Sequence, residues 1–340
     1  MSARRGILAG GNWIVDHLKI IDAWPAQDAL ANILAESTGN GGSPYNVLKD
    51  LAQLGAAFPL EAAGLLGDDA DGRAILADCA AHHIDTAQLR PMPGTHTSHT
   101  DVMTVRATGR RTFFHGRGAN ALLAPGHFDF SRTHAKIFHL GYLLLLDTLD
   151  AVGPAGVPRA AEVLRSARSH NLVTSVDCVS EAGDRLRSVV EPVLPEVDVF
   201  FANDYEVEKL TGVALRVGEA IRGPAVVAAA QRLFGVGVRA WCVVHFPEGV
   251  YARSAAGAEF FQPAVRVPAT EIAGAVGAGD ALAAGVLFGL HEEWPMPRCL
   301  EAGVCAAAAC LRHASCSGGV DVLEACLARG RAVGFADAVM

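Results

Sequence analysis

The sequence predicts an α/β protein built on a mostly parallel sheet, and two patterns support this fold class. From Ala135 onward, short apolar runs of strand length alternate with segments that have helical spacing. These strands are apolar throughout, which is typical of strands covered by helices on both faces. A third pattern, the alternation of apolar and polar residues over Thr95–Phe114 around Ala107–Arg110, predicts a hairpin within this α/β chain.

The individual elements follow from local signals along the chain. Apolar runs bounded by glycine or polar residues predict strands at Gly6–Gly10, Phe58–Gly64, Ile137–Leu146, Leu172–Asp177, Val197–Phe201 and Ala240–His245. Helical spacing between start and stop signals predicts helices at Tyr45–Leu54, Gly72–His82, Pro158–His170, Asp204–Thr211, Pro224–Gly235 and Pro297–Ala314. The glycine-rich stretch Ser37–Asn46 is interpreted as a junction that leads into the first helix.

Composition and charge exclude several classes of protein. The 340 residues are 51% hydrophobic, so a large core is expected. A net charge of −8 without long Lys/Arg runs argues against nucleic acid or an anionic membrane as partner. No apolar stretch of about 18 residues suggests a membrane span. The eight cysteines form no C-x-x-C pair, so we expect buried thiols in a reducing compartment, the cytoplasm.

The strongest site signal is Gly277-Ala278-Gly279-Asp280, which begins a small apolar helix pattern. Glycines at a loop-to-helix junction let backbone N–H groups face an anion. A carboxylate at the same place suits a base that takes a hydroxyl proton while the amides stabilise a transferring group. From this stretch alone, an Asp280 that only caps the helix is equally consistent.

Polar residues near the amino terminus point to a second part of a site. If Trp13–Ile20 is extended, Asn12 and Asp16 share one strand face, which suits hydroxyl binding, although a solvent-facing edge fits as well. Further along, Gly41-Gly42 permits close backbone approach, and Asn46 lies on the first helical turn facing that loop.

Residues far apart in sequence are expected to meet at one edge of the sheet. Asp177 ends a predicted strand, and Asn203 follows the next one. Ligands of parallel α/β sheets bind at the carboxyl ends of the strands, so both residues should lie near the Gly277–Asp280 loop.

With these residues in view, the chain resembles the ribokinase-like (PfkB) family of sugar and nucleoside kinases over nearly its whole length. The matching motifs are, in order, Gly11-Asn12 with Asp16, Gly41-Gly42 with Asn46, the set Gly64, Gly67, Asp69 and Gly72, then Asn203-Asp204-Tyr205-Glu206 and Gly277-Ala278-Gly279-Asp280. Each is weak alone, but their shared order and spacing are specific. The resemblance implies a doubly wound α/β domain over residues 1–340, with helices on both faces and a small discontinuous β-lid at residues 13–34 and 95–117.

The resemblance also implies an ATP-dependent kinase with Asp280 as catalytic base. The implied anion hole consists of the amides of Gly277, Ala278 and Gly279. Substrate contacts are assigned to Asn12, Asp16, Gly41, Gly42, Asn46 and Asn120. Nucleotide contacts are assigned to Asn203, Glu206, His245, Gly249, Gly277 and Gly279. Asn203 and Glu206 would also place Mg²⁺ through water.

Two departures from the family pattern carry expectations of their own. Family members usually have Asp-Thr six and five residues before the base, where this chain has Gly274-Ala275. Because that aspartate is a ligand of the activating monovalent cation in many members, we expect weak or absent dependence on such a cation. The usual T-x-G-x-x-G reads His245–Gly249 here, one residue shorter and with Pro247 near the place of its first glycine, which affects the phosphate- and adenine-side contacts.

The expected activity is phosphorylation of a primary hydroxyl on a small sugar or sugar-like molecule. A nucleoside acceptor stays open, with Trp13, Tyr45 and Phe113 as candidate platforms for its base. A binding or regulatory protein with weakened catalysis is the alternative outside enzymes. A dinucleotide-dependent dehydrogenase is excluded because no G-x-G-x-x-G follows a strand. The expected partners are the sugar, ATP and a second copy of the chain, packed through the lid at Val102–Phe114.

Overall fold

The computed structural model describes residues 4–181 and 183–340. The strands are β1 (Ile7–Gly11), β2 (Ile14–Ile21), β3 (Ile33–Gly41), β4 (Leu60–Gly67), β5 (Asp85–Met92), β6 (Ser98–Val105), β7 (Arg111–Gly116), β8 (Ile137–Leu143), β9 (Val173–Cys178), β10 (Val199–Asn203), β11 (Arg216–Val217), β12 (Ala220–Ile221), β13 (Trp241–Phe246), β14 (Gly249–Ser254) and β15 (Glu259–Pro263). The helices are α1 (Ser43–Gln53), α2 (Ala70–Ala81), α3 (Asp147–Asp150), α4 (Arg159–Ser169), α5 (Arg185–Val190), α6 (Asp204–Thr211), α7 (Gly223–Val236), α8 (Ala278–His291), α9 (Met296–Cys310) and α10 (Leu323–Val333).

Nine strands form one large sheet in the order β15-β14-β13-β10-β9-β8-β1-β4-β5. The seven strands from β13 to β5 pair in parallel, and only the β13–β14 and β14–β15 pairs are antiparallel. The predicted α/β fold with a mostly parallel sheet is therefore confirmed.

Both faces of this sheet are covered, as the uniformly apolar strands predict. In β1, Ile7 and Ala9 belong to one core cluster and Leu8 belongs to the other. The first cluster includes buried residues of α1, α8 and α9, and the second includes those of α4 and α7. Successive strand side chains point to opposite faces, so helices lie on both sides of the sheet.

A separate four-stranded sheet, the lid, has the order β3-β2-β6-β7. Strands β2 and β6 are parallel, and the two outer pairs are antiparallel. The predicted hairpin over Thr95–Phe114 is present as β6 and β7. However, β3 runs on to Gly41, beyond the predicted lid limit at residue 34 and into the stretch interpreted as a junction. The first six residues of β3 are exposed, and the apolar run Ile33–Ala35 is followed by a polar run, so β3 lacks the apolar–polar alternation that identifies a strand.

Two predicted elements end earlier than expected, for identifiable reasons. Strand β8 ends at Leu143, because Leu144 has a φ of 81°, which is incompatible with an extended chain. Helix α9 ends at Cys310 rather than Ala314. The carbonyl of Leu311 accepts hydrogen bonds from the Ala273 and Gly274 amides at 2.9 and 3.2 Å, so the loop before α8 packs against this helix end.

In the described part of the chain, no helix combines the length and apolarity needed to cross a lipid bilayer. All eight cysteines are buried free thiols, in agreement with the expectation from their apolar sequence surroundings.

Candidate active site

Asp280 lies on the first turn of α8, and its side chain contacts other parts of the fold rather than its own helix. The residue is only 4% exposed. Its Oδ2 accepts a hydrogen bond from Asn46 Nδ2 at 2.7 Å, and the Tyr142 hydroxyl lies 2.7 and 2.8 Å from its two oxygens. The N-cap position belongs to Gly277, so Asp280 is not the helix-capping residue.

The environment of Asp280 brings its pKa close to neutral. Burial raises this pKa to about 7, and the nearby Asp177 carboxylate contributes to the rise. The hydrogen bonds from Asn46 and Tyr142 act in the opposite direction because they stabilise the charged form. A carboxyl group with such a pKa can accept a proton and release it again at physiological pH.

Of the two glycines before Asp280, Gly277 occupies a position that excludes a side chain, whereas a Cβ on Gly279 would only crowd the His245 ring. Gly277 has a φ of 82°, and a Cβ there would lie 2.5 Å from the Cys316 carbonyl oxygen. The first-turn amides of a helix have no acceptor within the helix, so the amides of Gly277 and Gly279 can serve an anion. The Ala278 amide instead faces the Ala275 carbonyl at 3.4 Å. It is therefore the least available of the three amides predicted for the anion hole.

Two residues that the sequence analysis did not single out belong to this site. Tyr142 follows a buried strand run and contacts Asp280 directly. Asn40 donates to Asn46 Oδ1 at 2.7 Å and to the Ser317 hydroxyl at 2.9 Å. The side chain of Asn46 therefore donates through Nδ2 to the candidate base and accepts through Oδ1 from Asn40. This bridging position is additional to its role as a substrate contact, which stays a prediction.

Asp16 lies on β2, where the lid meets the large domain. It is 7% exposed, and the Cys316 thiol donates to its Oδ2 at 3.6 Å. Burial raises the pKa of Asp16 to about 7, and hydrogen bonds from Cys316 and Thr100 limit the rise. A Cβ on Gly41 would lie 2.6 Å from the Asp16 carboxylate, which explains the glycine at that position.

The side-chain amides of Asn12 and Asn120 form hydrogen bonds with backbone groups. Asn12 donates to the Leu145 carbonyl at 3.2 Å and accepts from the Tyr142 amide. Asn120 accepts from the Trp13 amide and donates to the Trp13 carbonyl, both at 3.2 Å. Both residues are fully buried. This geometry favours a role in fixing the chain at the lid entrance over the predicted contact with substrate.

Gly42 lies between the lid and α1 and has a φ of 84°. A Cβ at this position would lie 2.2 Å from the Asn12 carbonyl oxygen. Only glycine accommodates both the left-handed backbone and this close approach. The helix α1 can therefore start directly at the end of the lid strand β3.

Asn203 and Glu206 form a reciprocal cap at the start of α6. The Glu206 amide donates to Asn203 Oδ1 and the Asn203 amide donates to Glu206 Oε2, both at 2.9 Å. The Ser180 hydroxyl donates to Glu206 Oε1 at 2.7 Å. Burial raises the pKa of Glu206 to about 7. Capping of α6 is therefore a sufficient structural reason for both residues. Any additional role in binding a metal ion would also involve the nearby Asp177.

Asp177 supplies the feature that fits a divalent cation. Its Oδ2 accepts from the Ser43 hydroxyl at 2.6 Å, whereas its Oδ1 is buried and has no hydrogen-bond partner among the described residues. The Asp177 carboxylate contributes to the raised pKa values of both Glu206 and Asp280. A buried carboxylate oxygen without a partner is compatible with a water-mediated Mg²⁺ contact. The described residues contain no group of three or more His, Cys, Asp or Glu side chains placed to bind a metal ion directly, so Mg²⁺ would be held mainly through water.

A cavity of about 570 Å³ opens beside the amino end of α8. Four predicted nucleotide contacts line it, namely Asn203, His245, Gly249 and Gly279. The rest of the lining is largely apolar and includes Val265, Val267, Leu282, Val304, Ala307, Ala308 and Leu311. Apolar walls with a few polar groups at one end suit a flat ring that carries a charged tail.

The departure from the family pattern at His245–Gly249 is a tight hairpin. Phe246 pairs with Gly249 across β13 and β14, so only two residues, one of them Pro247, form the turn. A Cβ on Gly279 would lie 3.2 Å from the His245 ring. Burial lowers the pKa of His245 to about 4, so the ring is neutral at physiological pH. Its contribution at this edge of the cavity is a neutral ring rather than a positive charge.

The other departure from the family pattern, at Gly274, lies next to an arginine of the lid. Arg111 on β7 reaches the Ala273 carbonyl at 3.5 Å, and a Cβ on Gly274 would lie 2.5 Å from its Nη2 atom. Glu271, the acid nearest in sequence, lies 3.0 Å from the Arg312 guanidinium. The loop before α8 therefore has a positive charge beside Gly274, and its nearest acid is paired.

Comparisons with known proteins agree with this geometry. A family model described as "pfkB family carbohydrate kinase" matches residues 12–322. A 5-dehydro-2-deoxygluconokinase from Geobacillus thermodenitrificans is 25% identical over 296 residues, which are 84% of this chain and 82% of that protein. An uncharacterized sugar kinase from Archaeoglobus fulgidus is 24% identical over 73% of this chain and 89% of its own length.

Solved structures show the same fold at low sequence identity. Arabidopsis thaliana ribokinase, complexed with ribose and ATP, aligns with a TM-score of 0.78 and 19% identity over 97% of this chain and 99% of that one. The nucleoside kinase of Methanocaldococcus jannaschii aligns with a TM-score of 0.74 and 15% identity over 97% of this chain and 100% of its own. Together with the family match, these findings show that the chain belongs to the pfkB family and is an ATP-dependent carbohydrate kinase.

Proposed function

We propose that this kinase transfers the γ-phosphoryl group of ATP to a primary hydroxyl of a small sugar or sugar-like molecule, with Asp280 as general base. The observation that carries the proposal is the buried Asp280 carboxylate next to the first-turn amides of α8. Asp280 accepts the hydroxyl proton as the oxygen attacks phosphorus. The amides of Gly277 and Gly279, with Ala278 between them, stabilise the charge that spreads over the transferring group.

The nucleotide would occupy the 570 Å³ cavity, with its phosphates toward Gly279 and Asn203. Mg²⁺ would be held near Asp177, Asn203 and Glu206. Among these residues, Asp177 Oδ1 is buried and has no hydrogen-bond partner in the described part of the chain. When bound, the ion supplies charge neutralisation on the phosphate oxygens. Asn203 would help to orient the bound ion, and the Ser180 hydroxyl holds Glu206 in place through its hydrogen bond to Oε1.

The acceptor would bind between the lid and α8. Asp16 would receive its hydroxyl groups, and the glycines Gly41 and Gly42 would let it approach the backbone. One relative is named a 5-dehydro-2-deoxygluconokinase, which makes sugar acids natural candidates for the acceptor. The lid would exclude water from the reaction. The reducing compartment suggested by eight free thiols is the cytoplasm.

The nucleoside alternative receives less support from the site. Trp13 is fully buried, Tyr45 is 4% exposed, and the two rings stack on each other with centroids 5.4 Å apart. Of the three proposed base platforms, only Phe113 is exposed. The regulatory alternative is also less favoured, because a buried Asp280 held by Asn46 and Tyr142 is costly to fold and has no purpose without chemistry.

Homodimerisation through the lid is the remaining proposal. Trp24, Ile33, Phe113 and Phe114 are all between 50 and 54% exposed, and Trp24 stacks on Phe114 with ring centroids 6.1 Å apart. Val102, named with them from the sequence, is 1% exposed and belongs to the interior of the lid. A second lid would cover the exposed aromatic groups.

The proposal is tested by ATP consumption with purified protein. Pentoses, hexoses, sugar acids and nucleosides are screened with wild-type protein and with Asp280→Asn side by side. We expect turnover with one or more sugars or sugar acids and a loss of about 10² to 10⁴-fold in the variant. Turnover with nucleosides alone would support the alternative acceptor, and normal turnover by a folded Asp280→Asn protein would remove the base from the mechanism.

A further inference from the structure

Tyr142 lies within hydrogen-bond distance of both oxygens of the candidate base, Asp280. Its hydroxyl lies 2.8 Å from Oδ1 and 2.7 Å from Oδ2. Asn46 donates to Oδ2 at 2.7 Å from the other side. The carboxylate is therefore held by two side chains from different elements, α1 and the end of β8.

The backbone fixes Tyr142 in this position. Its amide donates to Asn12 Oδ1, and Asn12 is anchored in turn on the Leu145 carbonyl. On the preceding residue, a Cβ at Gly141 would lie 2.3 Å from both Asp177 Oδ1 and Ser43 Oγ. The backbone at Gly141 therefore packs closely against Asp177 and Ser43. This packing fixes the position from which the Tyr142 side chain reaches Asp280.

The charged form of Asp280 needs such donors because its surroundings oppose ionisation. Burial and the Asp177 carboxylate raise the pKa of Asp280, whereas His139 lowers it. The charge of Asp280 in turn raises the pKa values of Asp50, Cys310 and Cys316, which face it from other elements. Among the described residues, Asn46 and Tyr142 donate the side-chain hydrogen bonds that favour the carboxylate. Burial raises the pKa of Tyr142 itself well above its ordinary value, so the phenol remains a donor throughout the working pH range.

We propose that Tyr142 is a positioning residue for the base, which keeps the Asp280 carboxylate ionised and oriented for the acceptor hydroxyl. The inference rests on the proposed role of Asp280 as general base. The phenol can keep its bond to one carboxylate oxygen while the acceptor hydroxyl takes the other. An aromatic hydroxyl then stabilises the charge of the base until the proton arrives.

The test is the pH dependence of kcat/KM for Tyr142→Phe. Removing the donor raises the pKa of Asp280, so the acidic limb of the profile moves up by about one pH unit. At pH 7 the rate falls about fivefold, because the ionised fraction of Asp280 drops from about one half to about one tenth, and most of the rate returns near pH 9. The matched control is Tyr251→Phe, because the Tyr251 hydroxyl is buried on β14 and has no hydrogen-bond partner among the described residues. Its profile remains that of the wild type.

A rate that falls equally at every pH, with the acidic limb in its original position, refutes the proposal, since lost packing alone gives that result. If Tyr142→Phe does not fold, 2,3-difluorotyrosine is incorporated at position 142. Its more acidic hydroxyl donates a stronger bond, so the acidic limb moves to lower pH, and an unchanged limb refutes the proposal equally. Asp280→Asn separates the two levels of inference: full activity there removes the base itself, whereas an inactive Asp280→Asn with an unshifted Tyr142→Phe profile removes only the role of Tyr142.

Discussion

Replacing Asp280 by Asn should make the protein more stable while it lowers turnover about 10² to 10⁴-fold. In the folded protein Asp280 has a pKa of about 7, whereas the ordinary value is 3.8. Between these two values the folded chain binds a proton that the unfolded chain has released. Stability contributed by this group therefore falls as pH rises from about 4 to about 7, and the loss is complete above that window. Asparagine carries no charge and avoids this loss.

The magnitude follows from the difference between the two pKa values, which corresponds to about 4 kcal/mol. Asparagine presents one acceptor oxygen where the carboxylate has two, so one of the donors Asn46 and Tyr142 loses its partner, at about 2 kcal/mol. The net gain at pH 8 is then about 2 kcal/mol. For a chain of 340 residues the unfolding entropy is about 0.7 kcal/mol per kelvin, so the melting temperature rises by about 3 °C.

The assay is thermal unfolding of wild type and variant at pH 5, 6, 7 and 8. The difference in melting temperature should grow with pH in favour of Asp280→Asn. Asp69→Asn is a control with the opposite sign, because Asp69 accepts bonds from the Thr97 hydroxyl and from the Thr97 and Gly72 amides, and its pKa is lowered. That variant should be less stable at neutral pH and approach wild type in acid. A difference in melting temperature that does not change with pH would show that burial does not raise the pKa of Asp280.

Three further predictions follow from the site and the lid. Asp16→Ala should raise KM for the sugar strongly and leave KM for ATP within about twofold, as initial-rate kinetics will show; an equal loss of ATP affinity would make Asp16 structural. Turnover should be nearly the same in K⁺, Na⁺ and a bulky organic cation at constant ionic strength, because Gly274 provides no carboxylate and Glu271 is paired with Arg312. A severalfold activation by K⁺ that Glu271→Gln abolishes would contradict this. Light scattering should give a dimeric mass at micromolar concentration and a monomeric mass for Phe114→Lys, whereas a monomeric wild type would remove the lid interface.

The elements of the large domain were predictable because they have strong local signals. Helix α6 has the predicted bounds Asp204–Thr211, since Asn203 is a good N-cap and Gly212 ends the helix with a φ of 68°. The Gly277–Asp280 segment was predictable for a related reason: Gly277 has a positive φ and no room for a Cβ, and the glycine that this requires is visible in the sequence.

Other parts of the site carry no comparable signal. Tyr142 continues an apolar run, so nothing in its neighbourhood distinguishes a phenol that meets the base from one that fills the core. Asn40 is buried near the end of β3, in a stretch that its glycines led us to interpret as a junction before the first helix. Trp13 and Tyr45 show the converse error, because aromatic residues near a site suggest ring stacking with a ligand, yet here they stack on each other. The roles of these residues depend on contacts between segments that are distant in the chain. Such contacts cannot be read from a single sequence.

The direct passage from β3 into α1 has a thermodynamic consequence for the enzyme. Gly41 pairs with Ile14 in the lid, Gly42 follows at once, and Asn46 on the next turn donates to Asp280. A ligand that moves the lid therefore also moves a donor of the base, and so changes the proton affinity of Asp280. Linkage makes this effect reciprocal, so ionisation of Asp280 must change acceptor affinity by the same factor. Sugar binding by this kinase should therefore release or take up a fraction of a proton, even when no ATP is present.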